Sequence, residues 1–197
     1  MIKLVNEIPF LDKLSAEAIK INCLYDSYKN DSNVLFWIQN DLEAVISMTD
    51  GNMIIYNNNA DTEELTEFVA VLNPVCIFSD LITLQKIGRL PPENINVMFR
   101  MADVKGSTES DCLSSYEIYN LLDVDGLSLP EYPYFAVDYC HRLNGGFANY
   151  FALKDKCAAI TFHSGKYAII NGIASRQKGY GTIALKAILQ KITADIF

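Results

Sequence analysis

The chain is poor in histidine, in clustered basic charge, in paired cysteine motifs and in long apolar runs. Among its 197 residues His141 and His163 are the only histidines, too few for a histidine-rich metal centre. Lys and Arg number 16 against 24 Asp and Glu, a formal net charge of −8. That balance argues against nucleic acid as a partner, because affinity for a phosphate backbone comes from massed Lys and Arg. Five cysteines stand at 23, 76, 112, 140 and 157. The number is odd and no pair has C-x-x-C spacing, which argues against a disulfide framework or a zinc knuckle and for reduced thiols in the cytoplasm. No apolar run approaches the roughly 18 residues that a membrane span needs. The first fourteen residues, MIKLVNEIPFLDKL, have charges throughout and lack the apolar centre of a signal peptide. The sequon Asn30-Asp31-Ser32 is therefore expected to go unused.

What remains is a chain with 50% apolar and 20% charged residues, able to build one domain or two small lobes. Its charge is uneven. Residues 151–197 carry seven basic residues against two acidic ones, a net of +5, which leaves −13 for residues 1–150. A small basic tail on an acidic body points to a local anionic ligand rather than a polyanion.

Periodicity predicts a helix over 15–28 capped by Ser15, with Ala18, Ile21, Cys23, Leu24 and Tyr28 near helical spacing. Strands are expected over 34–38, 43–48 and 52–56, the last two joined by the hairpin signal Asp50-Gly51. A helix over 61–72 carries acids in its first turn and stops before Pro74. A strand over 75–78, a helix over 81–87 ended by Gly88 and a strand over 96–101 follow. The polar stretch 105–111 is the linker candidate. Beyond it come helices over 112–122 and 134–143, with Pro130 and Pro133 in the loop between them. Strands over 147–153, 157–162 and 166–173 follow, then a helix from Gly179 or Gly181 to about Thr193. The expected fold class is α/β, an α+β layering of mixed sheet and helices. It is divided into a lobe over 1–104, a linker over 105–110 and a lobe over 111–197. The two halves repeat an order of elements without repeating a sequence.

One segment carries chemistry. In KYAIINGIASRQKGYGTIALKAILQKI (166–192) an apolar strand runs into the basic, glycine-containing turn Arg176-Gln177-Lys178-Gly179-Tyr180-Gly181, and a helix starts at once. A helix N-terminus offers unpaired N–H groups and about half a positive charge. Glycine lets an anion approach the backbone, Arg176 and Lys178 add charge, and no acid occupies the first turn. These are the parts of a phosphate or diphosphate cradle. A P-loop is excluded, because Thr182 rather than Lys-Ser or Lys-Thr follows Gly181. Ala184 makes the turn only a near-match to G-x-G-x-x-G, and the βαβ order that motif requires is missing.

The turn fits [RQ]-x-x-G-x-[GA] between the third strand of a meander and a helix. In this it resembles the coenzyme A loop of the GNAT acetyltransferase superfamily, over about 111–197. The resemblance implies acetyl-CoA as cosubstrate, with no metal, and an amine of a small molecule or protein as acceptor. It implies that the amides of Gln177, Lys178, Gly179, Tyr180 and Gly181 hold the diphosphate, with Thr182 adding a hydroxyl. It further implies that Ile173, Ala174 and Ser175 pair with the pantetheine arm, an N–H there polarising the thioester carbonyl. In this sequence Ser175 leads straight into Arg176, a tighter connection than the family's, and Asn171 stands on the strand where an acid often serves as base. The family continues past the helix with a further strand and helix. Here the chain reaches Phe197, so the expectation is a truncated product, a degenerate protein, or a homodimer whose second copy completes the cofactor slot. The first half resembles a degenerate lobe of the same kind. Its join Asn57-Asn58-Asn59-Ala60-Asp61 lacks Gly, Lys and Arg and would repel an anion.

His163 and Asp138 are the candidate catalytic groups, Asp138 standing at i, i+3 from His141. Cys140 and His141 point about 100° apart on a helix, which argues against a nucleophile–base pair. Cys157 and His163 offer two metal ligands where three or four are needed. Asp123-Val124-Asp125-Gly126 has its glycine two places too early for a calcium loop. Tyr132, Tyr134, Phe135 and Tyr139 are expected mainly as core, and Glu63, Glu64 and Glu67 as a solvated helix face.

Overall fold

The computed structural model describes residues 1–89, 109–125, 127 and 129–195. The strand expected over 96–101 and most of the expected linker, 105–108, lie outside the described residues, as does Gly126. The chain is α+β and divides into two compact units, Met1–Met98 and Phe99–Phe197.

The first unit begins with a strand the periodicity did not disclose, β1 (Ile2–Val5). It continues through α1 (Ala16–Tyr28), β2 (Leu35–Gln39), β3 (Ala44–Thr49), β4 (Asn52–Asn57), α2 (Thr62–Leu72), β5 (Cys76–Phe78) and α3 (Leu81–Lys86). The sheet order is β1-β2-β3-β4-β5. The first four strands are antiparallel neighbours. α2 crosses over so that β5 runs parallel to β4. Asp50 and Gly51 both take positive φ, 48° and 77°, and close the β3–β4 hairpin as their types predict. The central strands are buried on both faces. Phe36, Val45 and Tyr56 pack under α1 with Ile21 and Leu24. Trp37, Ile46, Met53 and Ile55 pack under Leu65 and Val69 of α2 and Leu84 of α3.

The second unit contains α4 (Ser115–Leu122), α5 (Tyr132–Asn144), β6 (Ala148–Leu153), β7 (Cys157–Ser164), β8 (Tyr167–Ser175) and α6 (Tyr180–Asp195). α4 starts later than expected because Ser114 and Glu117 form a reciprocal capping box. α5 starts earlier because Pro133 sits in its first turn, where its missing N–H costs nothing. The three strands form an antiparallel meander. Ser110 and Asp111 lie against the outer side of β6, where the Asp111 amide donates to the Ala152 carbonyl (2.8 Å) and the Lys154 amide to Asp111 Oδ2 (2.7 Å).

Small side chains let helices approach both faces of this meander. Ala152, Ala158 and Ala174 lie under α4 and α5 with Ile118, Leu122, Phe135 and Tyr139. Phe151, Cys157 and Ala159 lie under Ala184, Ala187 and Ile188 of α6. The i, i+3, i+4 spacing of those three puts them on one helix face. β8 carries a bulge. Gly172 pairs with Ile160 and Ile170 with Thr161, so Asn171 has no partner on β7. Among the described residues no helix is long and apolar enough to cross a membrane, and the five cysteines form no disulfide.

Candidate functional site

β8 delivers the chain to the start of α6. Ala174 is buried against Ala158, and Ser175 opposite Cys157 is exposed. The Arg176 amide adds one more rung by donating to the Lys156 carbonyl (2.8 Å). The Ser175 hydroxyl then donates to the Gln177 carbonyl (2.6 Å) and accepts from the Gln177 amide (3.4 Å). Gly179 adopts φ +88°, a conformation L side chains resist, and a Cβ placed there would meet nothing within 4 Å. The Tyr180 amide donates back to the Gln177 carbonyl (3.2 Å).

The amides of Arg176, Gln177 and Tyr180 are thus used by the turn itself. Among the described residues no acceptor meets those of Lys178, Gly179, Gly181 and Thr182. The first turn of α6 holds no acidic residue. Its amides and the helix dipole present a positive, unhindered mouth to solvent.

The neighbouring cations are arranged differently from the expectation. The Lys156 ammonium stands 4.9 Å from the centre of the Tyr180 ring, and Lys178 is exposed. The Arg176 guanidinium donates to the main-chain carbonyls of Asn120 and Asp123 at the end of α4. Arg176 also forms a wall of an open cleft of about 250 Å³, with Glu117, Asn120, Lys154 and Asp155. The amide and hydroxyl of Ser114, with Lys154 3.9 Å away, hold the Glu117 carboxyl below its ordinary range.

His163 and Asp138 are not brought to this turn. His163 lies six residues along β7 from Cys157, the residue opposite Ser175. At about 3.4 Å per residue, that is roughly 20 Å from the strand end. Its amide donates to the Phe147 carbonyl (3.0 Å), and its Nε2 lies 3.4 Å from Asn149 Nδ2. Asp138 accepts from Arg142 Nε at 2.8 Å, one turn along α5. Arg142 is buried and stacks 4.2 Å from the Phe162 ring. Phe162 faces α5 and the next residue, His163, faces the other way, so the two candidates lie on opposite faces of the sheet.

Cys157 is fully buried, and burial pushes its thiol up, away from reactivity. Tyr132, Phe135 and Tyr139 pack in a chain of ring contacts with Tyr119 and Tyr150. Burial drives the Tyr139 phenol well above its ordinary value. Tyr134 is exposed. Sequence reasoning missed the bulge at Asn171, for which the signal was Gly172 inside a strand.

The corresponding turn of the first unit is closed by its own side chains. Asp61 Oδ1 accepts from the amides of Glu63 (3.1 Å) and Glu64 (3.2 Å), capping α2. Gln39, completely buried, accepts from the Asp61 amide (2.8 Å) and donates to Glu64 Oε2 (2.8 Å). Glu64 also receives the Ile2 amide (2.5 Å) and the N-terminal ammonium (3.2 Å). It is therefore half-buried and bonded on both carboxylate oxygens rather than simply solvated, unlike the exposed Glu63 and Glu67.

No protein-family model, curated protein or solved structure matches this chain. Among the described residues no three His, Cys, Asp or Glu side chains are grouped to hold a metal ion.

Proposed function

We propose that the second unit binds acetyl-CoA at the mouth of α6 and passes its acetyl group to an amine of a small molecule or protein. The observation that carries this is the uncapped start of α6. Four unpaired amides lie there beside a left-handed glycine with open space on its Cβ side. A diphosphate fits such a mouth chemically, since it needs several N–H donors, a positive dipole end and no carboxylate nearby. The resemblance of 176–181 to the acyl-CoA loop of the acetyltransferases supports the same ligand, and five thiols outside any disulfide support a cytoplasmic setting.

Bound acetyl-CoA would supply an acetyl group activated as a thioester. The chain's part is positional and electrostatic. Ile173, Ala174 and Ser175 would align the pantetheine arm along the outer side of β8. The main chain at Asn171, out of register with β7, would be the donor that polarises an acyl carbonyl. An attacking amine must shed a proton, directly or through water.

The placement of His163 and Asp138 on opposite faces of the sheet favours a second reading, a CoA-binding module of this fold that does not turn over. Acetyl-CoA titrated to 1 mM with a panel of amines, following both stability and thiol release, separates the two. At about 100 times the dissociation constant, binding stabilises by about 2.7 kcal/mol. Hydrogen exchange should slow at 178–182. Binding with thiol release supports transfer, and binding without release supports the module. The absence of any shift or protection refutes both.

A further inference from the structure

We propose that Arg176 is a positioning residue, a latch that ties the β8–α6 turn to the end of α4, and that it does not contact the phosphate of a ligand. The sequence pattern places its charge in the cradle; the structure turns it away. A helix leaves its last carbonyls without partners. At the end of α4 the Asp123 amide bonds to Tyr119 and the Val124 amide to Leu122. The carbonyls of Asn120 and Asp123 instead receive the Arg176 guanidinium. A cation is favoured there by the negative end of the helix dipole as well as by the two acceptors.

The direction follows from the layering. α4 packs on one face of the meander, with Ala158 and Ala174, and α6 on the other, with Phe151 and Ala159. A guanidinium committed to α4 therefore points across the sheet edge, away from the free amides at the start of α6. Its own amide is held by Lys156, so Arg176 is pinned at both ends, by main chain to the β6–β7 turn and by side chain to α4. The next residues, Gln177 to Tyr180, form the turn whose shape sets where the free amides point. Of the two cations in the motif, Lys178 is the one left at the mouth.

Only the affinity part of this inference rests on the acyl-CoA reading; the latch itself does not. The test uses the full chain and the variants Arg176→Gln, Arg176→Lys and Lys178→Gln. Hydrogen exchange without ligand is the first arm. Both Arg176 variants should speed exchange together at 123–124 and at Tyr180, because releasing the guanidinium Nη2 frees both sides of the latch. CoA affinity against salt is the second arm. Arg176→Gln and Arg176→Lys should each weaken binding, by about tenfold for a lost charge-assisted hydrogen bond, and leave the salt dependence as in the wild type. Lys178→Gln should flatten the salt dependence. Wild-type exchange at both segments in Arg176→Gln overturns the latch. So does a flattened salt dependence in Arg176→Gln with affinity restored by Lys, the behaviour of a phosphate ligand. If wild-type protein fails to bind CoA, the acyl-CoA reading falls, and the exchange arm still decides the latch.

Discussion

Replacing each of the two glycines of the turn by alanine should change stability in opposite directions. Gly179 holds φ +88°. Forcing an L residue into left-handed backbone costs about 1–2 kcal/mol. No steric term adds to this, since the new Cβ meets nothing within 4 Å. Gly179→Ala should therefore destabilise the second unit by about 1–2 kcal/mol. Gly181 lies inside α6 without a positive φ, and its Cβ would sit 3.5 Å from Ser175 Cβ, an ordinary contact. Gly181→Ala should stabilise, by less than the roughly 1 kcal/mol that alanine gains over glycine in a helix interior. The assay is native-state hydrogen exchange of the α6 amides under conditions where opening is in fast equilibrium. Gly179→Ala should speed their exchange about 5- to 30-fold, and Gly181→Ala should slow it. CoA affinity should fall in Gly179→Ala and persist in Gly181→Ala, because the motif that 176–181 resembles admits alanine at its last position. Equal losses in the two variants, or a neutral Gly179→Ala, would refute the reasoning from backbone conformation.

Glu64→Gln should lower the stability of the first unit by about 1 kcal/mol at neutral pH, the worth of a typical net hydrogen bond. The buried Trp37, the only tryptophan, reports this through its fluorescence during urea unfolding. Burial alone would raise the Glu64 carboxyl, but the bonds from Gln39, the Ile2 amide and the N-terminal ammonium outweigh it and hold the group below 4.5. Its contribution is present above that value and is lost as pH falls through the lower, folded one. The wild type should therefore lose its advantage over Glu64→Gln in acid. Ile188→Ala, removing a fully buried side chain packed on Phe151 and Ala159, should cost the second unit about 2–4 kcal/mol, measured by exchange of the β6 and β7 amides.

Features governed by neighbours in sequence were legible, and those governed by distant partners were not. Asp50-Gly51 declares its hairpin and Ser15 its cap, the latter accepting from the Ala18 amide at 3.2 Å, because each acts within four residues. β1 escaped because four residues with Lys3 among them give too short an alternation. Its assignment comes from pairing with β2, some 35 residues away. Asp138 has candidate partners at both i+3 and i+4, and the bond to Arg142 at i+4 is visible only in the structure. Glu64 looks solvated on a helical wheel because Gln39 and the chain's own N-terminus are invisible there. The glycine turn was legible as a turn, but two of the five amides expected to be open, those of Gln177 and Tyr180, are bonded within the turn to Ser175 Oγ and to the Gln177 carbonyl. The direction of Arg176 was not, since its acceptors Asn120 and Asp123 lie 56 and 53 residues earlier.

The bulge in β8 also bears on which changes of length the second unit tolerates. Gly172 pairs with Ile160 and Ile169 with Phe162, so odd positions before Asn171 and even positions after it share one side of the sheet. Deleting Asn171 would join two correctly alternating stretches into a regular ladder with every other side chain still on its proper side. A deletion elsewhere in the strand can also be absorbed by the bulge, but then every residue between the deletion and Asn171 moves to the other face. β8 is thus most tolerant of shortening at Asn171, and progressively less so the further a deletion lies from it.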